Sequence, residues 1–424
     1  MAALAALLLA GCSGSGGEDE PVQVKVVYWD EPTFRQSFMP IVRAAYPHMT
    51  VEVVSWNDFR QSKQEEGMTD QLDIYKLLLE EERPDLLWLN EPLYAGLSRD
   101  ARLVDLDPLI QRDGFDIDAF APTVVQALRA DGGLYGLTRS FGLTALFYNR
   151  DLIERAGAEL PRNGMSWEET LLLAGQLGGE GPEGERTYGL YKPIFLHQMF
   201  QYLIVDIGRS GGLALRDGSG SWVLDSPSWR KAWEIVVRGI ESEALYLPDP
   251  PIDYASADAI DRPYRMFREG RIAMVEANLS FLLQLQAEDP SLRWDFVTRP
   301  IDPARPSGAG VINGIFAISA DAVQQEGAWQ LLSLLHGEST MRQLPVGGEL
   351  PSRPSLAEGL YGRDMSAFYE YGLGDRSAGT ASLSGQQLAQ LDRMANERLN
   401  RVLAGELDLE SALAELQREA EAKL

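Results

Sequence analysis

The sequence predicts an α/β fold built as two domains or two lobes. Residues 22–89 alternate strand-like and helix-like segments, which is the pattern of a parallel sheet covered by helices. The length of 424 residues exceeds what one hydrophobic core usually supports. Apolar residues make up 45% of the chain, which is enough for sizeable cores. We see no internal repeat of about 20–50 residues, and this argues against a solenoid.

The N-terminal segment is typical of export to the outer face of a membrane. Residues 2–10 are wholly apolar but too few to span a bilayer as a helix, which needs about 20 residues. The tetrapeptide Leu9-Ala10-Gly11-Cys12 resembles the bacterial lipoprotein signal, in which cleavage precedes the cysteine. The resemblance implies that residues 1–11 are a signal peptide and that Cys12 is lipidated. Residues 12–20 hold mainly Ser, Gly and acids and are expected to be a flexible tether.

Composition narrows the classes of partner. With 63 acidic and 38 basic residues the net charge is −25, which opposes binding to nucleic acid or to an anionic lipid surface. Cys12 is the single cysteine, so an intramolecular disulfide and a cysteine-rich metal site are excluded. From residue 21 onward no stretch approaches 18 consecutive apolar residues. We expect a monomeric body that folds outside the cytoplasm and touches the membrane only through its lipid.

The first elements form a βαβαβ unit. Residues 22–29 (VQVKVVYW) alternate and are rich in β-branched and aromatic types, and residues 49–56 form a second strand. Residues 34–45 and 72–78 carry apolar residues at spacings of three and four, which predicts two helices. Residues 85–89 (DLLWL) predict a central strand. Right-handed crossovers make such strands parallel, so their carboxyl ends share one edge.

Polar and aromatic residues follow each of these strands at that edge. Open α/β sheets bind ligands just outside the carboxyl ends of their strands. A sugar offers an apolar face for stacking and hydroxyls for hydrogen bonds, so aromatic rings beside carboxylates and amides suit it. Loops are often polar without a ligand, but three coincident strand ends favour a site. The residues are Trp29, Asp30, Glu31, Trp56, Asn57, Asp58, Asn90 and Glu91.

The middle and the end of the chain add mostly helix. Residues 166–169 (SWEE) have the spacing of a capping box at a helix start. Ser226-Pro227 opens another helix, whose tryptophan stripe is expected to be core. Residues 307–314 (SGAGVING) predict a loop that feeds a strand, and residues 383–424 predict two helices broken near Gly405.

Signatures of catalysis and of metal or cofactor binding were sought and not found. The three histidines are far apart, and HExxH, GxSxG, GxxxxGK[ST] and a GxGxxG at a strand-to-helix turn are absent. Residues 113–118 (DGFDID) lack the glycine and the glutamate of an EF-hand. We therefore predict no cofactor and no metal. A glycoside hydrolase stays open, because it needs only two carboxylates about 5–10 Å apart.

Several segments in the same order resemble the extracellular solute-binding proteins of ABC importers, in the family of maltose-binding protein. The similar segments are 133–157 (GLYGLTRSFGLTALFYNRDLIERAG), 167–169 (WEE), 267–275 (FREGRIAMV), 314–335 (GIFAISADAVQQEGAWQLLSLL), 350–353 (LPSR) and 402–417 (VLAGELDLESALAELQ). Each is weak alone, and jointly they are specific. A tryptophan that the family often has after its Ala-Met pair is replaced here by 277–281 (ANLSF).

The resemblance implies the two-lobed periplasmic-binding-protein fold, with a mostly parallel sheet flanked by helices in each lobe and crossovers between the lobes. The first lobe is expected to hold residues 21–137 and 274–318, and the second 138–273 and 319–424. Glu91 lies near the position in the sequence at which the family has a sugar-binding acid. The residues that the resemblance adds to the expected ligand site are Arg139, Ser140, Phe141, Asn278, Phe281, Asn313 and Arg353.

The resemblance also implies capture without chemistry. The lobes are expected to close around a small solute, most simply an oligosaccharide or a related polyol, and to deliver it to the membrane subunits of an ABC permease. Two alternatives stay open at this point. One is a sensor or docking lipoprotein for a membrane signalling protein, and the other is a surface glycoside hydrolase.

Overall fold

The computed structural model describes residues 22–180, 185–194, 198–248, 252–288, 291–303, 310–344, 348–358, 362–371, 373, 383 and 385–424. The predicted signal peptide, Cys12 and the tether lie outside the described residues. The strands are β1 Val22–Tyr28, β2 Met49–Ser55, β3 Leu86–Leu89, β4 Arg129–Ala130, β5 Gly133–Leu134, β6 Leu137–Thr138, β7 Ser140–Phe141, β8 Thr144–Asn149, β9 Gly179–Glu180, β10 Arg186–Tyr191, β11 Ile272–Asn278, β12 Trp294–Thr298, β13 Ile315–Ile318 and β14 Leu350–Pro351.

Helices cover both sheets. They are α1 Glu31–Ser37, α2 Met39–Ala45, α3 Trp56–Glu65, α4 Gln71–Glu82, α5 Glu91–Arg99, α6 Asp107–Asp113, α7 Pro122–Leu128, α8 Arg150–Arg155, α9 Trp167–Leu177, α10 Asp206–Ser210, α11 Pro227–Glu241, α12 Ala257–Arg268, α13 Leu279–Glu288, α14 Gln325–His336, α15 Glu338–Gln343, α16 Ser355–Glu358, α17 Gly385–Leu403 and α18 Leu409–Lys423. A π-helix, Phe200–Val205, runs into α10, and a 3₁₀-helix spans Ser366–Phe368.

The first sheet has the strand order β2-β1-β3-β13-β6. β1 pairs in parallel with β2 along its whole length and with β3 at Val26, so the predicted βαβαβ unit is confirmed. β13 runs antiparallel between β3 and β6. The strands read as apolar because both sheet faces are covered, and Val24, Val26 and Leu86 are fully buried.

Two local features differ from the predicted elements. The helix predicted over residues 34–45 is split into α1 and α2 at Phe38, where Pro40 occupies the first turn of α2. The second strand ends at Ser55, whose side chain accepts a hydrogen bond from the Asp58 N–H at 3.2 Å and caps α3. The helix therefore begins one residue after the strand, and no loop follows β2.

The second sheet has the strand order β12-β8-β11-β10-β9. β10 and β11 are parallel, whereas β8 runs antiparallel between β11 and β12. The predicted capping box is present at α9, where the Ser166 hydroxyl and the Glu169 carboxylate each bond the other's backbone N–H. The predicted helix after Ser226 is α11, and the predicted pair of C-terminal helices is α17 and α18.

The expected lobe boundaries after residue 273 are wrong. Residues 274–298 are expected in the first lobe, but they contain most of β11 and all of β12, which hydrogen-bond to β8 in the second sheet. Every residue of β11 except Asn278 is buried, as expected of a strand in the centre of a sheet that is covered on both faces. Residues 319–344 were assigned to the second lobe, but α14 packs on β13, β1 and α2 of the first.

Three chain segments, which we call crossings, run side by side between the two sheets. The first contains β7 and Gly142, the second contains Val311, and the third contains β14. β7 in the first crossing pairs with β14 in the third, and Gly142 pairs with Val311 of the second. The two Gly142–Val311 backbone hydrogen bonds are each 2.8 Å long. One hydrophobic core runs from the first sheet through this junction to one face of the second sheet, and a separate core covers the opposite face.

The packing of α9 on β10 gives a stability test at Gly189. A Cβ atom at Gly189 would lie 2.0 Å from the Ala174 carbonyl oxygen, and backbone cannot move aside cheaply. We expect Gly189→Ala to lower the free energy of unfolding by about 2–4 kcal/mol in urea denaturation. Gly175 lies on the same helix with no atom near its missing Cβ. Gly175→Ala is the matched control and should raise stability by up to about 1 kcal/mol. Equal stability of the two variants would contradict this packing.

Candidate functional site

The carboxyl edge of the first sheet faces the crossings. β1, β2 and β3 are parallel and end there, and β13 begins there because Ile315 pairs with Leu89. β6 ends at the same edge with Thr138, which pairs with Ile315. The Thr138 hydroxyl donates to the Ser140 carbonyl oxygen at 2.8 Å, inside the first crossing. The loops at this edge therefore lie at the junction of the two lobes.

An accessible tryptophan marks this edge. Trp29 is 42% exposed, although a residue of its size is usually mostly buried. Its ring packs edge to face against Trp88 of β3, with 6.1 Å between centroids. The Arg60 guanidinium lies 5.8 Å from the Trp29 centroid and donates to the Asn57 carboxamide oxygen at 3.0 Å. The indole thus contacts Trp88 and Arg60, and part of it stays open to solvent.

Carboxylates and amides lie at the same sheet edge as this indole. The Glu91 carboxylate accepts the Ile312 N–H at 2.9 Å and ties the start of α5 to the second crossing. Asn90 caps α5 by accepting the Leu93 N–H at 3.0 Å. Asn313 is exposed beside this contact. Gly314 has φ +76°, and a Cβ there would lie 2.8 Å from the Trp88 indole nitrogen, so the close approach requires glycine.

The facing edge of the second sheet carries buried charges. β10, β11 and β12 end at one edge, and β8 begins there at Thr144, two residues after Gly142 of the first crossing. We define the charge quartet as Lys192, Asp206, Glu276 and Arg299. The Lys192 ammonium lies 2.7 Å from Asp206 and 3.1 Å from Glu276. The Arg299 guanidinium lies 2.6 Å from Asp206 and 3.6 Å from Glu276.

The quartet is charge-balanced and tightly held. Burial alone would raise the pKa of Asp206, but the attraction of Arg299 and Lys192 outweighs it and holds that pKa below its usual range. The Thr144 hydroxyl donates to the Glu276 carboxylate at 2.7 Å. Both cations lie within 6 Å of the Trp167 ring, at 5.6 and 5.9 Å from its centroid. Asp206 has the most exposed side chain of the four, at 22%.

A polar cavity of about 420 Å³ lies where α17 packs on the helix that contains the π-turn. Its lining residues are Gln198, Ala389, Asp392, Arg393, Asn396, Glu397 and Asn400. Asn396 and Asp392 accept the first N–H groups of that helix, from Phe200 at 2.9 Å and from Gln201 at 3.2 Å. The Asn396 amide also donates to Asp392 at 2.9 Å. Burial raises the pKa of the Asp392 carboxyl to about 6.

The structure places four predicted ligand contacts in the interior, and these predictions are wrong. Trp56 is 2% exposed and packs on Tyr75, because α3 starts at once after β2. Phe281 is 3% exposed and packs on Phe147. Phe141 is fully buried in the crossing.

Arg353 is the fourth of these residues. Two other predicted contacts, Arg139 and Ser140, lie in the first crossing and bond to residues that precede β14. Arg353 is 3% exposed, contacts Asp116 at 3.2 Å and lies over the Phe120 ring. Arg139 donates to the Leu344 carbonyl oxygen at 2.6 Å, and its guanidinium lies over the Phe38 ring. Ser140 is buried and donates to the Glu349 carboxylate. Ser140 and Arg353 are buried and stabilise the fold, whereas Arg139 is half-buried and stays a predicted ligand contact.

The remaining predicted residues lie at the two sheet edges. Asp30 caps α1 with both carboxylate oxygens on Thr33, and Glu31 pairs with Arg35. Asn278 is exposed at the end of β11, and its side chain accepts the Ser280 N–H at 3.1 Å. With Trp29, Asn90, Glu91 and Asn313 they stay predicted ligand contacts.

Sequence reasoning missed the charge quartet and Trp88. One signal was available, because Glu276 is an acid inside the otherwise apolar strand IAMVEAN. A charge in such a strand indicates a buried partner of opposite sign. The partners themselves, Lys192 and Arg299, lie one residue beyond β10 and β12 and meet it only in the folded chain.

The described part of the chain contains no candidate for a membrane-spanning helix or a metal cluster. None of its helices is both long and apolar enough to cross a bilayer. Within the same residues, no group of three or more His, Cys, Asp and Glu side chains is placed to hold a metal ion.

Comparison with known proteins identifies the fold. The sugar-binding protein MalE of Xanthomonas citri superposes with a TM-score of 0.68 and 16% identity, covering 95% of this chain and 97% of that one. An ABC substrate-binding protein of Listeria monocytogenes, solved with cycloalternan, gives a TM-score of 0.58 and 18% identity over 95% of this chain and 98% of that one. The chain therefore has the two-lobed fold of these binding proteins, as the sequence predicted.

The sequence relatives are more distant and partial. The arabinooligosaccharide-binding protein of Bacillus subtilis (strain 168) is 26% identical over 177 residues, which is 39% of this chain and 37% of that protein. The chain spans about half the length, 52%, of the first curated relatives that it matches. No family model matches the chain.

The raised pKa of Asp392 gives a pH test. A carboxyl that ionises near pH 6 when folded and near pH 4 when unfolded stabilises the fold at low pH and loses that contribution as pH rises through about 6. We expect the unfolding free energy of the wild type to fall, relative to Asp392→Asn, between pH 4.5 and 7.5 in urea titrations. Asp225→Asn changes an exposed acid and should run parallel to the wild type. A parallel course for Asp392→Asn would show that Asp392 does not titrate in this window.

Proposed function

We propose that this chain is a lipid-anchored receptor that captures an oligosaccharide or a related polyol and delivers it to an ABC permease. The observation that carries the proposal is the exposed indole of Trp29, which packs against Trp88 and lies at the same sheet edge as Asn90, Glu91 and Asn313. The fold is shared with a protein named for sugar binding, and a partial sequence relative is named for binding arabinooligosaccharides. That likeness supports the class of solute and leaves the individual sugar open.

The chemistry of the junction suits a neutral polyhydroxylated guest. An indole face stacks on the apolar face of a sugar ring, and carboxylates and amides accept or donate to its hydroxyls. Each hydroxyl that closure buries without a partner costs about 1–3 kcal/mol, so the positions of these groups select among sugars. Solute capture needs no bond to be made or broken, and we propose that the receptor releases its ligand unchanged.

Closure uses the three crossings as the hinge. Few residues have to change conformation, because the crossings pair with one another at Gly142–Val311 and at β7–β14. The closed form would then present a surface from both lobes to the permease. Lipidation at Cys12 would keep the receptor near that permease and raise its effective concentration there.

A thermal-shift screen tests the proposal. The panel contains maltotriose, cellotriose, arabinotriose, raffinose and ribitol, and calorimetry then measures the dissociation constant of each hit. A ligand that binds only the folded protein raises the melting temperature. We expect at least one neutral saccharide or polyol to do so. No shift with any member, combined with turnover of chromogenic glycosides, would replace the receptor by a hydrolase.

Replacement of Trp29 tests the aromatic contact. We expect Trp29→Ala to weaken binding of the best panel sugar at least about tenfold, because truncating an anchoring aromatic side chain typically costs more than 1 kcal/mol. Trp29→Phe keeps a stacking face and should lose less. Leu172→Ala, which removes an exposed apolar side chain of α9, is the control and should bind as the wild type does. Unchanged binding by Trp29→Ala would remove Trp29 from the site.

A further inference from the structure

Resting on the proposed function, a second ligand contact can be assigned to the facing edge of the second sheet. We call the edge that carries Trp29 the first wall and this facing edge the second wall. We propose that Asp206 is the carboxylate through which the second lobe binds hydroxyl groups of the saccharide, and that the charge quartet makes this wall selective for neutral sugars over uronic acids. Sequence reasoning did not place Asp206 in the site. The proposal stands on its position, its free oxygen atom and the charge of its neighbours.

Asp206 reaches the edge of the second sheet from the helix above it. It is the first residue of α10, directly after the π-helix, and single π-turns are frequent at functional sites. Its carboxylate contacts Lys192, one residue after β10, and Arg299, one residue after β12. Both strands end at the edge that begins β8 beside the crossings. Asp206 therefore lies where the second lobe meets the ligand.

One oxygen of this carboxylate is available. Lys192 and Arg299 both contact Oδ2, at 2.7 and 2.6 Å. None of the described residues donates a hydrogen bond to Oδ1, and the side chain is 22% exposed while its three partners are between 3% and 7% exposed. The two cations fix the orientation of the carboxylate and keep it ionised. Hydrogen bonds to an ionised acceptor are about twice as strong as those between neutral groups.

The charge count sets the selectivity. Two cations and two carboxylates cancel, so the quartet has no positive charge left for an anionic ligand. A uronate would bring its carboxylate next to the exposed oxygen of Asp206 and be repelled in a site of low dielectric constant.

A hydroxyl group suits the free oxygen of Asp206. A hydroxyl can donate a hydrogen bond to this carboxylate, whereas an ionised carboxylate has no hydrogen to donate.

Asp206→Asn separates a binding role from a structural one. The variant keeps the shape, loses the charge-assisted hydrogen bond and leaves the quartet with one net positive charge. By calorimetry we expect the best neutral trisaccharide of the panel to bind about tenfold or more weakly. We expect trigalacturonic acid to bind more tightly than it does to the wild type. The control is Asp225→Asn, which should change neither affinity.

A second variant guards against misfolding caused by the unbalanced charge. Asp206→Asn combined with Lys192→Met restores a neutral quartet of Arg299 and Glu276. It should lose the neutral sugar as Asp206→Asn does, but gain no affinity for trigalacturonic acid. Thermal melts of the free proteins verify that each variant folds.

The outcomes distinguish this inference from the proposed function. If the wild type binds a panel sugar and both Asp206 variants bind it within twofold of the wild-type affinity, Asp206 is not a ligand contact and the receptor function stands. A loss of the neutral sugar without any gain of trigalacturonic acid by Asp206→Asn would overturn the charge selectivity. If the wild type binds no member of the panel, the proposed function fails and this inference falls with it.

Discussion

The pairing of the three crossing segments is the constraint on which the rest of the molecule depends. Gly142 bonds to Val311 in both directions, and β7 bonds to β14, so the only covalent paths between the described sheets are also hydrogen-bonded to one another. The Glu91 carboxylate accepts a hydrogen bond from the Ile312 N–H in the second crossing. Thr144 lies two residues after Gly142, and its hydroxyl donates to the Glu276 carboxylate. The polar edges of both sheets are thereby fixed relative to the crossings. In the proposed receptor, closure would be a rotation at the crossings that brings these two edges together.

Each wall is built from groups whose desolvation is already compensated within the protein. Burying a single charge costs several kcal/mol, and the cost is offset only by close partners of opposite sign. Every member of the charge quartet has such a partner within 3.1 Å. On the opposite wall, the indole of Trp29 is backed by Trp88 and Arg60. In the proposed receptor, a sugar would therefore meet groups that the protein already holds in place, which is the physical meaning of preorganisation.

The sequence predicts many elements of the first lobe but few of the contacts in the charge quartet. The reason is that the first depend on local patterns and the second on contacts between residues far apart in sequence. Alternation in β1 and the apolar run of β3 are local signals, and parallel pairing then fixes where Trp29 and Glu91 must lie. The direction of the Trp56 ring was not predictable in this way, because the Ser55 cap turns the chain into α3 without a loop. The place of β11 in the second sheet and the meeting of Lys192 with Asp206 depend on contacts distant in sequence.

In the proposed receptor, the two walls would contribute contacts of different selectivity to recognition of the sugar. Stacking on an indole accepts nearly any sugar ring, because the energy follows apolar area and depends little on hydroxyl configuration. Hydrogen bonds to fixed carboxylates and amides depend on the position of each hydroxyl, and a mismatch leaves a buried polar group unpaired. The wall that carries Trp29 would therefore hold a ring in the open state. The wall that carries the quartet would test its hydroxyls only as the lobes close, so that affinity and specificity are set at successive steps of one motion.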